Sequence, residues 1–305
     1  MAQATETSYS GWPRCLRFTD GQVHLILTLD VGPRVLHCGL GDGPNLFNIF
    51  DDQCGVTQGE QWLPFGGHRL WHAPEVYPRT YAPDFDPVEY RWRDSTVTLI
   101  QPPERTTGLQ KQIALTGDGE GRVTLTHTLI NHNLWAIEAS PWCITQMAPG
   151  GRAIVPQEDY RSHPEHLYPA RPLVLWHFTQ MDDPRVHWGS RFIQLFEDAR
   201  VDQKIKFGAL NKQRWAAYWV EGYLFVKTFD AMPGVTYPDY NSNCEFFTMP
   251  GFLEVESLGP LTRIEPGGCV DHREIWHVWP LDALPQTESA LAGVLKPFLD
   301  QLAFP

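Results

Sequence analysis

The sequence predicts an all-β protein, one large antiparallel twisted β-sandwich with a short C-terminal helix. Three observations carry this. The chain has 305 residues, with 12 Trp, 10 Tyr and 16 Phe beside 25 Gly and 26 Pro, a mixture of sheet-favouring aromatics and turn formers. Period-2 alternation of apolar and polar residues recurs along its length, as in strands with one buried face. Convincing helical spacing of apolar residues is confined to the tail. No linker, repeat or low-complexity segment divides residues 1–305, so a single domain is expected.

Charge and cysteine usage narrow the function classes. The net charge is −12 and no basic run occurs, which argues against nucleic acid and anionic membrane as partners. The six cysteines are scattered without a close pair, so zinc-finger and redox motifs have no support, and reduced, buried thiols are expected. The N-terminal residues lack a basic and apolar leader pattern, and no segment approaches the roughly 20 apolar residues of a spanning helix. A cytoplasmic protein is the resulting expectation.

Taken in order, Cys15 to Leu40 reads as a three-stranded meander, with Val23, Leu25, Leu27 and Leu29 on one face and turns at Thr19-Asp20-Gly21 and Val31-Gly32-Pro33. Gly39 to Asn48 is turn chemistry, because the lysine and following helix of a phosphate loop are missing. Tyr77 to Tyr90 reads as an irregular loop. Strand character returns at Val88 to Gln101, Lys111 to Leu115, Arg122 to Asn131 and Glu138 to Met147. Residues 156–190 hold many prolines and histidines, with no short metal-ligand spacing beyond His163 and His166, so no metal or other cofactor is expected there. Further strands follow at Lys204–Gly208, Trp215–Val220, Tyr223–Phe229, Glu245–Thr248, Phe252–Ser257, Leu261–Val270 and His272–Trp279. The tail is the helix: Thr287 as N-cap, Glu288 in the first turn, and Leu291, Val294, Leu295, Phe298, Leu299 and Leu302 at helical spacing, with Pro297 weakening it.

Candidate chemistry concentrates at three places. Gly66-Gly67-His68-Arg69-Leu70-Trp71-His72-Ala73-Pro74-Glu75 packs two imidazoles, a guanidinium, an indole and a carboxylate into one short extended segment, as the wall of a polar site would. In an extended chain His68 and His72 share one face and Arg69 and Trp71 the other. Glu254 and Glu256, two apart on a strand, leave the same face beside Phe252; such neighbours repel, and desolvation would raise the pKa of one toward general acid–base use. Lys227 interrupts an otherwise apolar strand, either as an edge gatekeeper or as a buried charge paired with one of those glutamates.

Five blocks together resemble a known bacterial family: Gly66 to Glu75, Ser140 to Gly151, Lys206 to Asn211 with Trp215 to Tyr218, Leu224 to Phe229, and Phe252 to Leu261. They are similar to domain of unknown function family 4380, and the fold that this resemblance implies is the galactose mutarotase-like (aldose 1-epimerase) supersandwich. It implies a sugar in a sheet cleft, a glutamate base at Glu256 with Glu254 beside it, and a histidine acid. Trp142 stands where the mutarotases carry their mid-chain histidine, so the acid falls to His68 or His72. Arg69, Trp71, Glu75, Trp142, Lys227 and Glu245 are the expected substrate-binding residues. Three functions fit: a sugar epimerase or mutarotase-like isomerase, a non-catalytic carbohydrate-binding module with Trp71 and Trp142 as platforms, and a metal-dependent sugar isomerase or lyase using His68, His72 and Glu75. The expected partner is a small-molecule carbohydrate.

Overall fold

The computed structural model describes residues 2–305. Two antiparallel sheets face each other. The first, 11-stranded, runs in the order Gln3–Tyr9, Trp12–Asp20, Val23–Thr28, Arg34–Leu40, His68–Ala73, Ile137–Met147, Phe252–Leu258, Cys244–Met249, Ile205–Ala209 and Leu173–Leu175, with Thr262–Ile264 paired to Ile137–Met147. The second, 10-stranded, runs Val186–Trp188, Phe192–Phe196, Arg152–Pro156, Trp215–Val220, Tyr223–Phe229, Cys269–Pro280, Val123–Asn131, Leu109–Gly117, Thr96–Ile100 and Glu89–Arg93. The expected all-β sandwich is therefore the observed one. Strands at Gln3–Tyr9, Arg152–Pro156, Leu173–Leu175, Val186–Trp188 and Phe192–Phe196 are additions to the sequence reading. Gln3–Tyr9 is a polar edge strand, held by its pairing with Trp12–Asp20 rather than by an apolar face.

The main core lies between the sheets. Leu16, Phe18, Leu25, Leu27, Leu70, Cys143, Leu253 and Val255 enter it from the first sheet, and Leu125, Leu129, Tyr218, Phe225 and Trp276 from the second. The helix Glu288–Leu299 covers the outer face of the second sheet, where Leu291 and Leu295 bury against Ile154, Trp215, Leu224 and Val226. Thr287 occupies the N-cap position without a side-chain cap bond. Instead the Glu288 carboxylate accepts backbone N–H groups of Ser190, Arg191 and Phe192, which fastens the first turn to the sheet edge.

A charged network is sealed inside this apolar layer. Lys227 Nζ lies 2.7 Å from Glu274 Oε1 and 3.0 Å from Thr145 Oγ1. Ser257 and Trp276 donate to the same carboxylate. His68 Nε2 lies 2.7 Å from His127 Nε2, and its Nδ1 2.9 Å from Thr145 Oγ1, while His272 Nε2 reaches Ser257. Burial alone would raise the Glu274 carboxyl, but Lys227, His68 and His127 together hold it well below the usual range. His68, His127 and Glu274 have metal-ligand proximity, yet the cation seated against this carboxylate is the Lys227 ammonium. Lys227 belongs to the central strand Tyr223–Phe229 and is fully buried, so it is neither an edge gatekeeper nor a partner of Glu254 or Glu256.

Two outcomes follow for stability. Lys227→Met leaves Glu274 uncompensated and is expected to cost about 3–5 kcal/mol in urea unfolding, whereas Lys227→Met with Glu274→Leu recovers most of the loss; equal losses in the single and double variants would contradict the pairing. The second concerns pH. Burial holds His68, His72 and His127 below the ordinary histidine value of 6.5, with His272 near 3 and His277 near 4. The unfolded chain takes up these protons near pH 6.5 and the folded one does not, so stability falls as pH drops from 6.5 toward 3. The limiting slope is about 1.4 kcal/mol per pH unit for each such histidine. Urea midpoints measured from pH 7.5 to 4 check this, and a flat profile would contradict it.

Candidate functional site

The outer face of the first sheet carries a polar lattice set by strand register. Directly paired residues share a face. One row across the strands reads Arg69, Ile144, Glu256, Glu245 and Gly208; the next reads Gln146, Glu254, Phe247 and Lys206; a third holds Trp71, Trp142 and Leu258. The strand bearing Arg69 and Trp71 is admitted to the sheet by two glycines. A Cβ at Gly66 (φ +100°) would sit 2.2 Å from Asn48 O, and one at Gly67 (φ +68°) 2.2 Å from Val35 O, so backbone packs where any side chain would collide.

A cleft of about 540 Å³ opens over this lattice. Trp62, Trp71, Trp142, Trp176, Phe247 and Phe252 line it; Arg69, Gln146, Lys206 and Glu254 supply polar groups, and Glu75 and Tyr81 stand with them. Trp62 packs on Trp71 at 4.7 Å and Trp71 on Trp142 at 5.5 Å between ring centroids. The two cations lie over indoles as well as beside carboxylates. Arg69 is 4.5 Å from the Trp71 ring and 5.3 Å from Trp62; Lys206 is 4.6 Å from Trp142 and 4.7 Å from Trp176. Each position joins cation–π attraction to ion pairing.

In the buried part of this face the carboxylates outnumber the cations, while a third cation, Lys204, lines the cleft from an exposed position. Lys206 Nζ lies 2.8 Å from Glu245 Oε2 and 3.2 Å from Glu256 Oε2, and Trp142 Nε1 donates to the same Glu256 oxygen at 2.7 Å. Arg69 and Gln146 both donate to Glu254 Oε1, at 3.2 and 2.8 Å. Three glutamates thus share two cations. Burial pushes the Glu245 carboxyl well up against the pull of Lys206, and burial also raises Glu254 against Arg69, with Glu256 adding to the rise. Lys206 is held charged: burial opposes the ammonium, but Glu245 and Glu256 outweigh it. Asp239, also raised chiefly by burial, adds a fourth acid next to Glu245. It lies in a turn where Asp239, Tyr240 and Asn241 all have positive φ (49°, 55° and 75°), a strained arrangement of the kind that clusters at functional sites.

The two glutamates of the Phe252–Leu258 strand share the cleft face, as their spacing predicts, but differ in access. Glu256 is fully buried, with Oε2 engaged by Trp142 and Lys206. Glu254 lines the cleft and keeps 8% of its surface; its Oε1 takes both hydrogen bonds, and Oε2 has no partner among the described residues. Glu245 lies in the same buried cluster as Glu256.

His68 and His72 share a face as expected, but it is the opposite face of the sheet from Arg69 and Trp71. His68 belongs to the interior network; His72 is fully buried, and neither ring nitrogen has a partner among the described residues. The expected pairing of either imidazole with Glu254 or Glu256 across one cleft is therefore corrected, since a sheet separates them. The metal reading meets the same obstacle, because Glu75 is on the exposed cleft side and His68 within the core. Lys227 is in the core too, so a direct substrate contact is corrected as well. Arg69, Trp71, Glu75 and Trp142 do line the cleft.

Sequence reasoning missed Lys206, Gln146, Trp62, Trp176, Tyr81 and Asp239. Two had a signal: Gln146 lies four residues after Trp142 on one strand, hence on its face, and Lys206 interrupts an apolar strand much as Lys227 does. Trp62, Trp176 and Asp239 come from loops and short segments with no periodicity to read.

No family model matches the chain, and no curated protein matches it in sequence, so the resemblance to domain of unknown function family 4380 rests on the motifs alone. Solved structures do match in shape. A TPR-domain containing protein from Parabacteroides distasonis superposes with a TM-score of 0.60 at 15% identity, covering 94% of this chain; the chain spans 56% of that protein's length. An Escherichia coli K12 protein provisionally assigned as an aldose 1-epimerase gives 0.57 at 11% identity, covering 92% of this chain and 100% of that one. A galactose mutarotase-like protein from Lactobacillus casei gives 0.56 at 10% identity, over 87% and 100% of the two chains. At such identities the likeness is one of architecture, and the chain has the galactose mutarotase-like β-sandwich fold.

Proposed function

We propose that this protein is a carbohydrate isomerase of the epimerase or mutarotase type, with Glu254 as its proton-accepting carboxyl. The observation that carries the reading is the free Oε2 of Glu254, a carboxylate of raised pKa facing an aromatic cleft. Indole faces suit the apolar side of a sugar ring, while Arg69, Gln146 and Lys206 suit its hydroxyls. In the step that this arrangement allows, Glu254 takes the proton of the anomeric hydroxyl. The freed O–H electron pair forms the carbonyl as the C1–O5 bond breaks, and the bond pair goes to the ring oxygen, which takes a proton from the Lys206 ammonium. Rotation about C1–C2 and the reverse steps close the other anomer and return both protons. Glu245 and Glu256 keep Lys206 charged. All six cysteines are free, the state that a reducing cytoplasm maintains, and we place the protein there.

The runner-up, a binding module without turnover, is favoured by one observation: the cleft is walled mainly by indoles and phenyl rings and holds no imidazole.

Proton NMR of freshly dissolved α-anomers of aldoses and uronic acids separates the two. The isomerase accelerates the approach to anomeric equilibrium, and Glu254→Gln lowers the rate by about 10²-fold or more. The base must be ionised, so activity rises with pH through a value above the ordinary 4.5 of a glutamate, and Glu254→Gln removes that limb. Broadened sugar lines without acceleration would establish the module; acceleration unchanged in Glu254→Gln would remove the assigned base.

A further inference from the structure

The cleft does not end at its aromatic wall. Trp62 and Tyr81 are shared with a second cavity of about 480 Å³, which in turn shares Arg79, Thr106 and Thr107 with a third of about 250 Å³. Shared lining residues place the three in succession along the loops at the end of the first sheet, toward the start of the Leu109–Gly117 strand of the second. Each holds an aromatic ring open to solvent or half-buried. Trp62 is half-buried in the first. Tyr77, 81% exposed, lines the second, and Trp135, 65% exposed, lines the third.

Exposed rings at this degree are unfavourable in water unless something covers them, and these two are not scattered: each stands at its own concavity along the same path. Polar groups suited to hydroxyls lie between them. Arg79 uses Nη2 on Pro74 O and leaves a buried Nε without a partner; Thr107 and Asn133 border the third cavity. His72 also borders that cavity, with both ring nitrogens unpartnered and fully buried. Buried polar atoms of this kind call for a partner. Among the described residues none supplies it.

We propose that the ligand is an oligosaccharide, with one ring in the Glu254 cleft and the following rings on Tyr77 and Trp135. Alternating ring faces and hydroxyl contacts along a groove are what a glycan chain presents, and a single monosaccharide in the first cavity would leave the other two unused. This rests on the carbohydrate reading of the cleft and names the class of sugar.

Calorimetric titration of the full chain with galactose, glucose, xylose, N-acetylglucosamine and galacturonic acid, and with the tetrasaccharides of β-1,4-galactan, α-1,4-glucan, β-1,4-xylan, chitin and α-1,4-galacturonan, tests it. At least one tetrasaccharide is expected to bind about tenfold more tightly than its monosaccharide. Tyr77→Ala and Trp135→Ala are each expected to weaken the tetrasaccharide by about 3- to 10-fold, the worth of one stacked ring, without changing monosaccharide binding. Equal affinity for one and four units, no binding of any tetrasaccharide, or indifference to both substitutions would overturn the proposal. Its failure is separable from that of the isomerase reading. Anomeric exchange sensitive to Glu254→Gln but blind to chain length removes only the groove, and chain-length-dependent binding without exchange removes only the isomerase.

Discussion

Strict two-residue alternation in the first sheet is the constraint on which the rest depends. Every strand under the cleft does two jobs at once. Trp142, Ile144 and Gln146 look out while Cys143, Thr145 and Met147 look in; Glu254 and Glu256 look out while Leu253, Val255 and Ser257 look in. A slip of one residue in any of these strands would put carboxylates into the core and leucines into the cleft. Register here is therefore enforced from both sides. The buried Lys227–Glu274 pair, through Thr145 and Ser257, grips the backs of the two strands whose fronts carry Gln146 and Glu254, and Gly66 and Gly67 fix where the Arg69 strand enters.

The cleft's electrostatics follow from that lattice. Antiparallel pairing sets Glu245 directly beside Glu256, with Glu254 two residues along the same strand, closer than carboxylates tolerate without cations or protons. Lys206 and Arg69 answer part of this charge, and each is flanked by indole faces rather than water, which strengthens the attraction. Burial among tryptophans raises the Glu245 and Glu254 carboxyls above the ordinary glutamate value.

Much of this was legible in the chain. The shared face of Glu254 and Glu256 follows from spacing alone, as does the pairing of Arg69 with Trp71 against His68 with His72. Which face meets the cleft does not follow. All six residues of His68–Ala73 are buried, so the strand shows no polar–apolar contrast to orient it, and the histidines that look like site residues are core residues, His68 with buried partners and His72 with none among the described residues. Lys227 misled for a related reason. Its counter-ion, Glu274, lies 47 residues further on, and only topology brings the strands together. The short strands between 152 and 196 and the loops that bear Trp62, Trp176 and Asp239 owe their shape to tertiary pairing, which no local pattern encodes.

The most direct test of the account is a crystal structure with a sugar bound. The sugar ring is expected to lie against the cleft indoles with its anomeric oxygen within about 3.2 Å of Glu254 Oε2, the reach of a hydrogen bond that a proton can cross. A sugar bound elsewhere, or one in the cleft whose anomeric oxygen faces away from Glu254, would contradict it.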